Sequence, residues 1–184
     1  MVERHRREET PQTPIALDDK GRALQLLLPE ILAEFHPEVG AAADLVVATV
    51  KPQDVHAVCR LTKEDPRLSF DYLMCLCVVD YVEYLQVVYH LYSTTMKHMM
   101  VLKANVSPEE PSLPSVIALW TGADWHERES HDLFGVVFEG HPNMNPLLLY
   151  EGFEGYPGRR NYEMPEYREW KIHLRRRRTG TSTA

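Results

Sequence analysis

Residues 72–105 read YLMCLCVVDYVEYLQVVYHLYSTTMKHMMVLKAN, and this stretch is the clearest indication of the fold class. Three segments in it, 72–80, 84–92 and 98–105, are rich in β-branched, aromatic and other large apolar residues, as strands are. In the second segment the side chains alternate between two faces with the period of a strand. Because the gaps between the segments have hairpin length, the stretch predicts an antiparallel sheet.

The flanking sequence predicts helices and one more strand. Residues 21–35 carry leucine and isoleucine at helical spacing, although Pro29 predicts a kink or a break into two short helices. Residues 45–50 predict a strand, and 54–62 and 124–134 predict helices. The order α-β-α-β-β-β-α predicts an α+β fold, in which helices pack on a mostly antiparallel sheet.

The chain length of 184 residues fits a single domain with additions at its ends. Residues 1–18 are polar and predict a flexible arm, and 19–139 predict the α+β core domain. Proline, serine and glutamate predict a loop at 106–114. Residues 140–184 have little periodicity and predict an irregular, extended tail that contacts a partner. Its basic end at 175–178 is either a contact or a solvated terminus, and both interpretations stay open.

Composition excludes several classes of protein. A formal net charge of −7 argues against a general nucleic-acid-binding protein. Cys75 and Cys77 form a lone C-x-C pair in an apolar run, which favours small core residues over a metal site. No apolar run approaches the ~20 residues of a membrane helix, and no signal peptide is evident. If the chain acts at a membrane, we expect partners to hold it there.

A histidine pair in residues 124–134 resembles a zinc-protease helix without matching it. The protease pattern places two histidines four residues apart, whereas His126 and His131 are five apart. Five helical steps separate them by about 140°, so one metal ion cannot bind both from a regular helix. An independent hydrolase that uses His126, Glu127 or His131 stays open as an alternative of another class, as does a free-standing acidic binding module.

Three acidic residues of the same segment, Glu127, Glu129 and Asp132, suggest an acid–base set, but local helix architecture explains them better. Glu127 and Glu129 point to different sides of a helix. Asp124 is a candidate N-cap with Glu127 closing a capping box, and Arg128 is placed to pair with Asp132. This interpretation makes them structural residues.

The other sequence features of this region do not indicate a catalytic or binding site. Gly135 stands where a helix C-cap belongs. Residues 152–160, GFEGYPGRR, lack the lysine and the following helix of a phosphate-binding loop. The sequence therefore predicts no catalytic, cofactor-binding or metal-binding residue in this chain.

One long motif resembles a known family. ERESHDLFG at 127–135 is followed by EGHP at 139–142, LL at 147–148, GFEG at 152–155 and RR at 159–160. This pattern resembles the C-subunit family of NADH–quinone oxidoreductase, respiratory complex I, which includes related subunits of membrane-bound nickel–iron hydrogenases. The specific likeness covers about residues 115–162. We call residues 124–162 the signature segment.

The resemblance implies a structural subunit of the hydrophilic arm that binds no cofactor and supports electron transfer from NADH to quinone, coupled to ion translocation. NADH, FMN, iron–sulfur clusters and quinone are then expected in partner subunits. The implied partners are the quinone-cavity subunit and the iron–sulfur subunits, with the membrane arm contacted indirectly. The implied location is the cytoplasmic face of the cell membrane, as a peripheral protein. The alternative within the family is the equivalent subunit of an energy-converting hydrogenase.

The resemblance also implies which residues form the family signature and partner interface. They are Glu127, Arg128, Glu129, Asp132, Phe134, Gly135, Gly140, His141, Pro142, Phe153, Gly155, Arg159 and Arg160.

Three positions depart from the family pattern. Asn145 replaces a usual basic residue, Tyr156 a common histidine and Asn161 a common acid.

Overall fold

The computed structural model describes residues 16–163. Within them are three α-helices, seven strands and two short 3-10 helices at Ala33–Phe35 and Pro52–Asp54. The helices are α1 (Asp19–Ile31), α2 (Val55–Glu64) and α3 (Ala123–Phe134). The strands are β1 (Glu38–Ala42), β2 (Leu45–Val50), β3 (Tyr72–Asp80), β4 (Leu85–Tyr92), β5 (Met99–Val106), β6 (Ser112–Pro114) and β7 (Val137–Glu139).

Five of the strands form one mixed sheet in the order β1-β2-β5-β4-β3. Three of its neighbouring pairs are antiparallel, and β2 with β5 is parallel. The connection from β2 to β5 carries α2 and the two hairpin strands between them, which allows the parallel pairing. β6 and β7 pair separately as a short parallel ribbon. The predicted α+β fold with a mostly antiparallel sheet is confirmed.

A single core joins the helices to the sheet. Leu85, Val87, Tyr89 and Leu91 alternate along β4 and are fully buried in it, as their spacing predicts. The core also takes in Leu24 and Leu28 of α1, Val58 and Cys59 of α2, and Leu102 of β5. Cys75 and Cys77 share one face of β3, as predicted, but are half-buried there.

The prediction of a break at Pro29 is wrong, since α1 is continuous from Asp19 to Ile31. Pro29 stands in the last turn, where the missing N–H removes one hydrogen bond close to the helix end. The turn is preserved because Leu28 is buried in the core and because the Leu32 N–H donates to Leu28 O at 2.9 Å.

Two strands escape the sequence-based prediction. β1 is an edge strand with two alanines and a glycine, and it is largely exposed, so it lacks strand alternation. β6 lies inside the predicted loop and ends on Pro114. It is a strand only because it pairs with β7, which follows α3 in the chain. Among residues 16–163, no helix has the length and apolar character needed to cross a membrane.

Candidate functional site

α3 carries the N-terminal part of the signature segment and ends as predicted. Gly135 adopts the left-handed conformation with φ of 73°, and its N–H donates to His131 O at 2.8 Å. The predicted capping box is wrong. The helix begins at Ala123 after Gly122, which has no side chain to cap it, and the carboxylate of Glu127 turns into the core instead of back along the helix.

Glu127 ties α3 to the chain that follows β6. Its side chain is 0% exposed, Oε2 lies 2.6 Å from Ser115 Oγ, and Oε1 accepts from the Val116 N–H at 2.8 Å. Burial raises the pKa of this carboxyl to about 7, against the lowering effect of the two hydrogen bonds. Glu127 therefore fastens two segments inside the domain.

His141 lies beside Glu127 on the chain that follows β7. Its Nε2 is 3.4 Å from Asp124 Oδ1 and 3.8 Å from Glu127 Oε2, and its side chain is fully buried. Nδ1 lies 3.1 Å from the Asn143 N–H, which donates to it. In the neutral imidazole this assigns the ring proton to Nε2, facing the two carboxyl groups.

Asp132 and Arg128 bind the irregular chain beyond His141. Asp132 Oδ2 accepts from the backbone N–H groups of residues 147, 148 and 149, at 2.7, 2.7 and 3.2 Å. The Arg128 guanidinium donates to Asn145 O at 3.1 Å and Pro146 O at 3.2 Å. The predicted Arg128–Asp132 pair is wrong, because unpaired backbone groups of an irregular segment are the partners of both side chains.

Residues 156–160 close over the end of α3. A Cβ on Gly135 would lie 2.4 Å from Tyr156 Cζ, so the tyrosine ring lies directly against the glycine. The Arg159 guanidinium also lies over that ring, 4.9 Å from its centroid. Tyr156, which departs from the family pattern, thus contacts both residues while 40% of it stays exposed.

The two arginines of residues 159–160 link this chain to distant parts of the domain. Arg159 donates to Phe134 O at 2.7 Å and to Pro108 O at 2.8 Å. The backbone N–H of Arg160 donates to Asp80 Oδ2 at 2.8 Å, at the turn between β3 and β4. We call the set of contacts between α3 and residues 141–160 the α3 junction.

The family model for the 30 kDa subunit of respiratory-chain NADH dehydrogenase matches residues 48–168, which include α3 and the whole α3 junction. The chain belongs to this family. The resemblance carried by the signature segment is confirmed. The family name is that of a subunit of a multisubunit respiratory enzyme.

Relatives within the 30 kDa subunit family include the NADH-quinone oxidoreductase C 2 subunit of Rhizobium meliloti, 38% identical over 134 residues, which are 71% of this chain and 73% of the relative. The NADH-quinone oxidoreductase C subunit of Roseiflexus castenholzii is 42% identical over 75% of this chain and 79% of the relative. The corresponding protein of Chloroherpeton thalassium is 46% identical over 60% of this chain, but the match spans only 47% of that longer relative.

Two solved structures share the fold. A chain of the membrane-bound sulfane sulfur reductase, an archaeal respiratory membrane complex, superposes with a TM-score of 0.68 over 82% of this chain and 92% of that chain, at 23% identity. A trypsin-resistant fragment of Nqo5 superposes with a TM-score of 0.54 over 65% of this chain and 98% of that chain, at 26% identity. The fold of the 30 kDa subunit family is therefore present here.

The other signature residues surround the α3 junction. Glu129 is exposed on α3, Phe134 is half-buried at its end, and Gly140, Pro142 and Gly155 lie on exposed turns. Phe153 is half-buried and stacks on Tyr162, with ring centroids 6.1 Å apart. Among residues 16–163, no group of three or more His, Cys, Asp or Glu side chains is arranged to hold a metal ion.

An open groove along α3 was not predicted from the sequence. It has a volume of about 580 Å³, and its exposed apolar residues are Trp125, 68% exposed, and Leu148, 59% exposed. Glu129 and Asp124 add acidic groups to its wall. In the sequence, the only indication of this groove is that Trp125 interrupts an otherwise polar helix face. The position of Trp125 opposite Leu148 depends on tertiary structure, because Asp132 holds residues 147–149.

Proposed function

We propose that this chain is a structural subunit of the hydrophilic arm of an NADH–quinone oxidoreductase and binds no redox cofactor itself. It supports electron transfer from NADH to quinone, coupled to ion translocation, by presenting a firm surface to the subunits that carry those steps. The observation that carries the proposal is the α3 junction. Arg128, Asp132 and Arg159 hold an irregular segment onto the domain, as expected of a scaffold.

The partners in this proposal are the quinone-cavity subunit and the iron–sulfur subunits, with the membrane arm contacted indirectly. NADH, FMN, the iron–sulfur clusters and quinone belong to those partners. The complex lies on the cytoplasmic face of the cell membrane, and this chain is peripheral. The names of the relatives favour the NADH-linked complex over a hydrogenase, since relatives 38% and 42% identical are NADH-quinone oxidoreductase subunits.

The α3 junction and the contact surface have different roles in this proposal. The signature residues with internal hydrogen bonds shape the junction, whereas the exposed groove with Trp125, Leu148 and Glu129 contacts a partner protein. An exposed tryptophan beside an exposed leucine is typical of an interface centre. Because the charged groups on the wall are acidic, we expect a basic side chain on the partner.

The test is affinity purification of the tagged chain from native membranes, with identification of the subunits that accompany it. The double variant Trp125→Ser, Leu148→Glu should lose the quinone-cavity and iron–sulfur subunits while keeping its circular dichroism spectrum. The control is Leu26→Glu on α1. It also changes an exposed apolar side chain, 81% exposed, but one that lies outside the groove and the α3 junction.

Two outcomes would contradict different parts of the proposal. Normal recovery of the subunits with the double variant would show that the groove is not the contact surface. Recovery of hydrogenase subunits, or of no redox subunit, with the unaltered chain would contradict the NADH–quinone assignment itself.

A further inference from the structure

Three ionisable side chains meet under the first half of α3. Glu127 and His141 have fully buried side chains, and Asp124 lies beside them, partly exposed. His141 Nε2 is 3.4 Å from Asp124 Oδ1, at the outer limit of hydrogen-bond distance, and it makes no hydrogen bond of regular geometry among the described residues. Buried ionisable groups without a charged partner prefer their neutral form.

The hydrogen bonds of Glu127 accommodate both of its protonation states. The ionised carboxylate accepts from the Ser115 hydroxyl and from the Val116 N–H. The protonated carboxyl can donate from Oε2 to Ser115 Oγ, since a hydroxyl accepts as well as donates, while Oε1 still accepts from Val116. Ser115 Oγ also accepts from the Ile117 N–H at 3.2 Å, which keeps it in place in either state.

The surrounding elements offer little compensation for an ionised Glu127. Cys59 of α2 and Tyr89 of β4 face it, and burial raises the pKa of both groups, so they stay neutral near pH 7. Asp124 on α3 raises the pKa of Glu127 further by repulsion. His141 also faces Glu127, and its Nδ1 is occupied by the Asn143 N–H, which donates to it.

We propose that Glu127 binds one proton inside the folded chain and that releasing this proton loosens residues 141–149 from α3. Ionisation places a charged carboxylate beside the Asp124 side chain in a buried site. The cost falls when water enters the junction and separates His141 from Glu127. This weakens the attachment of the loop that continues to the three amides held by Asp132. The α3 junction is then a latch that responds to proton binding.

The direction of the pH dependence follows from the two states. The carboxyl pKa is 4.5 in the unfolded chain and about 7 in the folded chain, so the folded chain binds more protons between these values. Stability contributed by this group is fully present below the unfolded pKa, falls as pH rises, and levels off above about pH 7. Glu127→Gln removes the dependence and keeps both hydrogen bonds, because its amide N–H donates to Ser115 and its carbonyl accepts from Val116.

The test is amide hydrogen exchange of the full chain, with protection factors at residues 143 and 147–149 compared between about pH 5.5 and about pH 8.5. One proton released on opening changes protection by about tenfold per pH unit between the two pKa values. We therefore expect protection to fall at least about tenfold in the unaltered chain and in Glu129→Gln, and to stay within about twofold in Glu127→Gln. Glu129 is the matched control, since it is an exposed carboxyl on the same helix.

A second measurement covers the case in which Glu127→Gln fails to fold. In the unaltered chain labelled with ¹³C-carboxyl glutamate, one resonance should titrate near pH 7 and the others near the ordinary glutamate value. Protection that does not change with pH, or glutamate resonances that all titrate below about pH 5, would overturn the proposal. Neither measurement needs the assembled complex, so the outcome is independent of the scaffold assignment.

Discussion

At the level of single residues, the signature side chains bind backbone groups of their own chain. Asp132 holds three consecutive amides, Arg128 two carbonyls and Arg159 two more. Backbone groups of an irregular segment lack the regular partners of a helix or a sheet, so charged side chains that reach them supply the missing hydrogen bonds. Asn145 supplies only its backbone carbonyl to Arg128, which explains why this departure from the family pattern is tolerated.

Arg128→Ala should lower the amount of assembled complex while turnover per assembled complex stays near normal. Its two hydrogen bonds to carbonyls are partly solvent-exposed, and a hydrogen bond contributes only about 0.5–1.5 kcal/mol net, so the isolated domain should still fold. Loss of these bonds frees residues 145–146 next to the proposed contact groove. Complex content measured on native gels and NADH oxidation per complex check the prediction.

Arg60→Ala is the control for Arg128→Ala, because it removes an exposed arginine side chain from another helix, α2, without touching residues 145–146 or the groove. Normal assembly of Arg128→Ala with turnover lost would contradict the scaffold function and would place this arginine in the reaction or coupling path.

At the level of secondary-structure elements, the end of α3 and the 156–160 segment depend on each other. Gly135 terminates the helix in the left-handed conformation and also leaves space for the Tyr156 ring. Gly158 is equally confined, since a Cβ there would lie 2.8 Å from Phe134 Cζ. The helix terminus and the segment that crosses it are therefore one structural unit.

Gly135→Ala should destabilise the domain more than Gly140→Ala. Both glycines have positive φ, 73° and 82°, so both substitutions carry the conformational cost of about 1 kcal/mol. Only the Cβ at residue 135 meets another group, the Tyr156 ring, whereas nothing lies within 4 Å of the Cβ at residue 140. We expect an additional cost of about 1–3 kcal/mol for overpacking, measured by urea unfolding.

Tyr156→Ala separates the two contributions at residue 135. If the ring is the cause, the cost of Gly135→Ala should be much smaller in the Tyr156→Ala background than in the unaltered chain. Equal costs for the two glycine substitutions in the unaltered chain would show that the ring moves aside freely.

In the molecule as a whole, residues 140–163 pack on the core and do not extend away from it. Asp132, the Phe134 carbonyl and Asp80 attach them at three places along their length. The predicted boundaries at residues 18, 139 and 140 stay predictions, as do the flexible arm and the partner-contacting tail. The basic end of the chain, with Arg175–Arg178, lies outside the described residues.

Deleting residues 174–184 should leave the folding of residues 16–163 intact, because the core and the α3 junction are complete without them. If the basic end contacts a partner, the deletion should reduce assembly most at low salt, since screening already weakens charge contacts at high salt. Assembly measured across a salt series decides between the two interpretations. Unchanged assembly at every salt concentration would indicate a solvated terminus.

The order of amino acids is enough to predict the hydrophobic pattern of β3, β4 and β5, the limits of α3 to within about two residues, and the family through the signature segment. The strands and the helix follow from side-chain periodicity, which short stretches of chain express on their own. The partners of Glu127, Arg128 and Asp132 follow only from tertiary packing. Local spacing suggested a capping box and an ion pair on the helix, but the Ser115 hydroxyl, the Val116 N–H and the backbone groups of residues 145–149 are the partners instead. The positions of these groups depend on how distant segments pack together, and side-chain periodicity does not predict that packing.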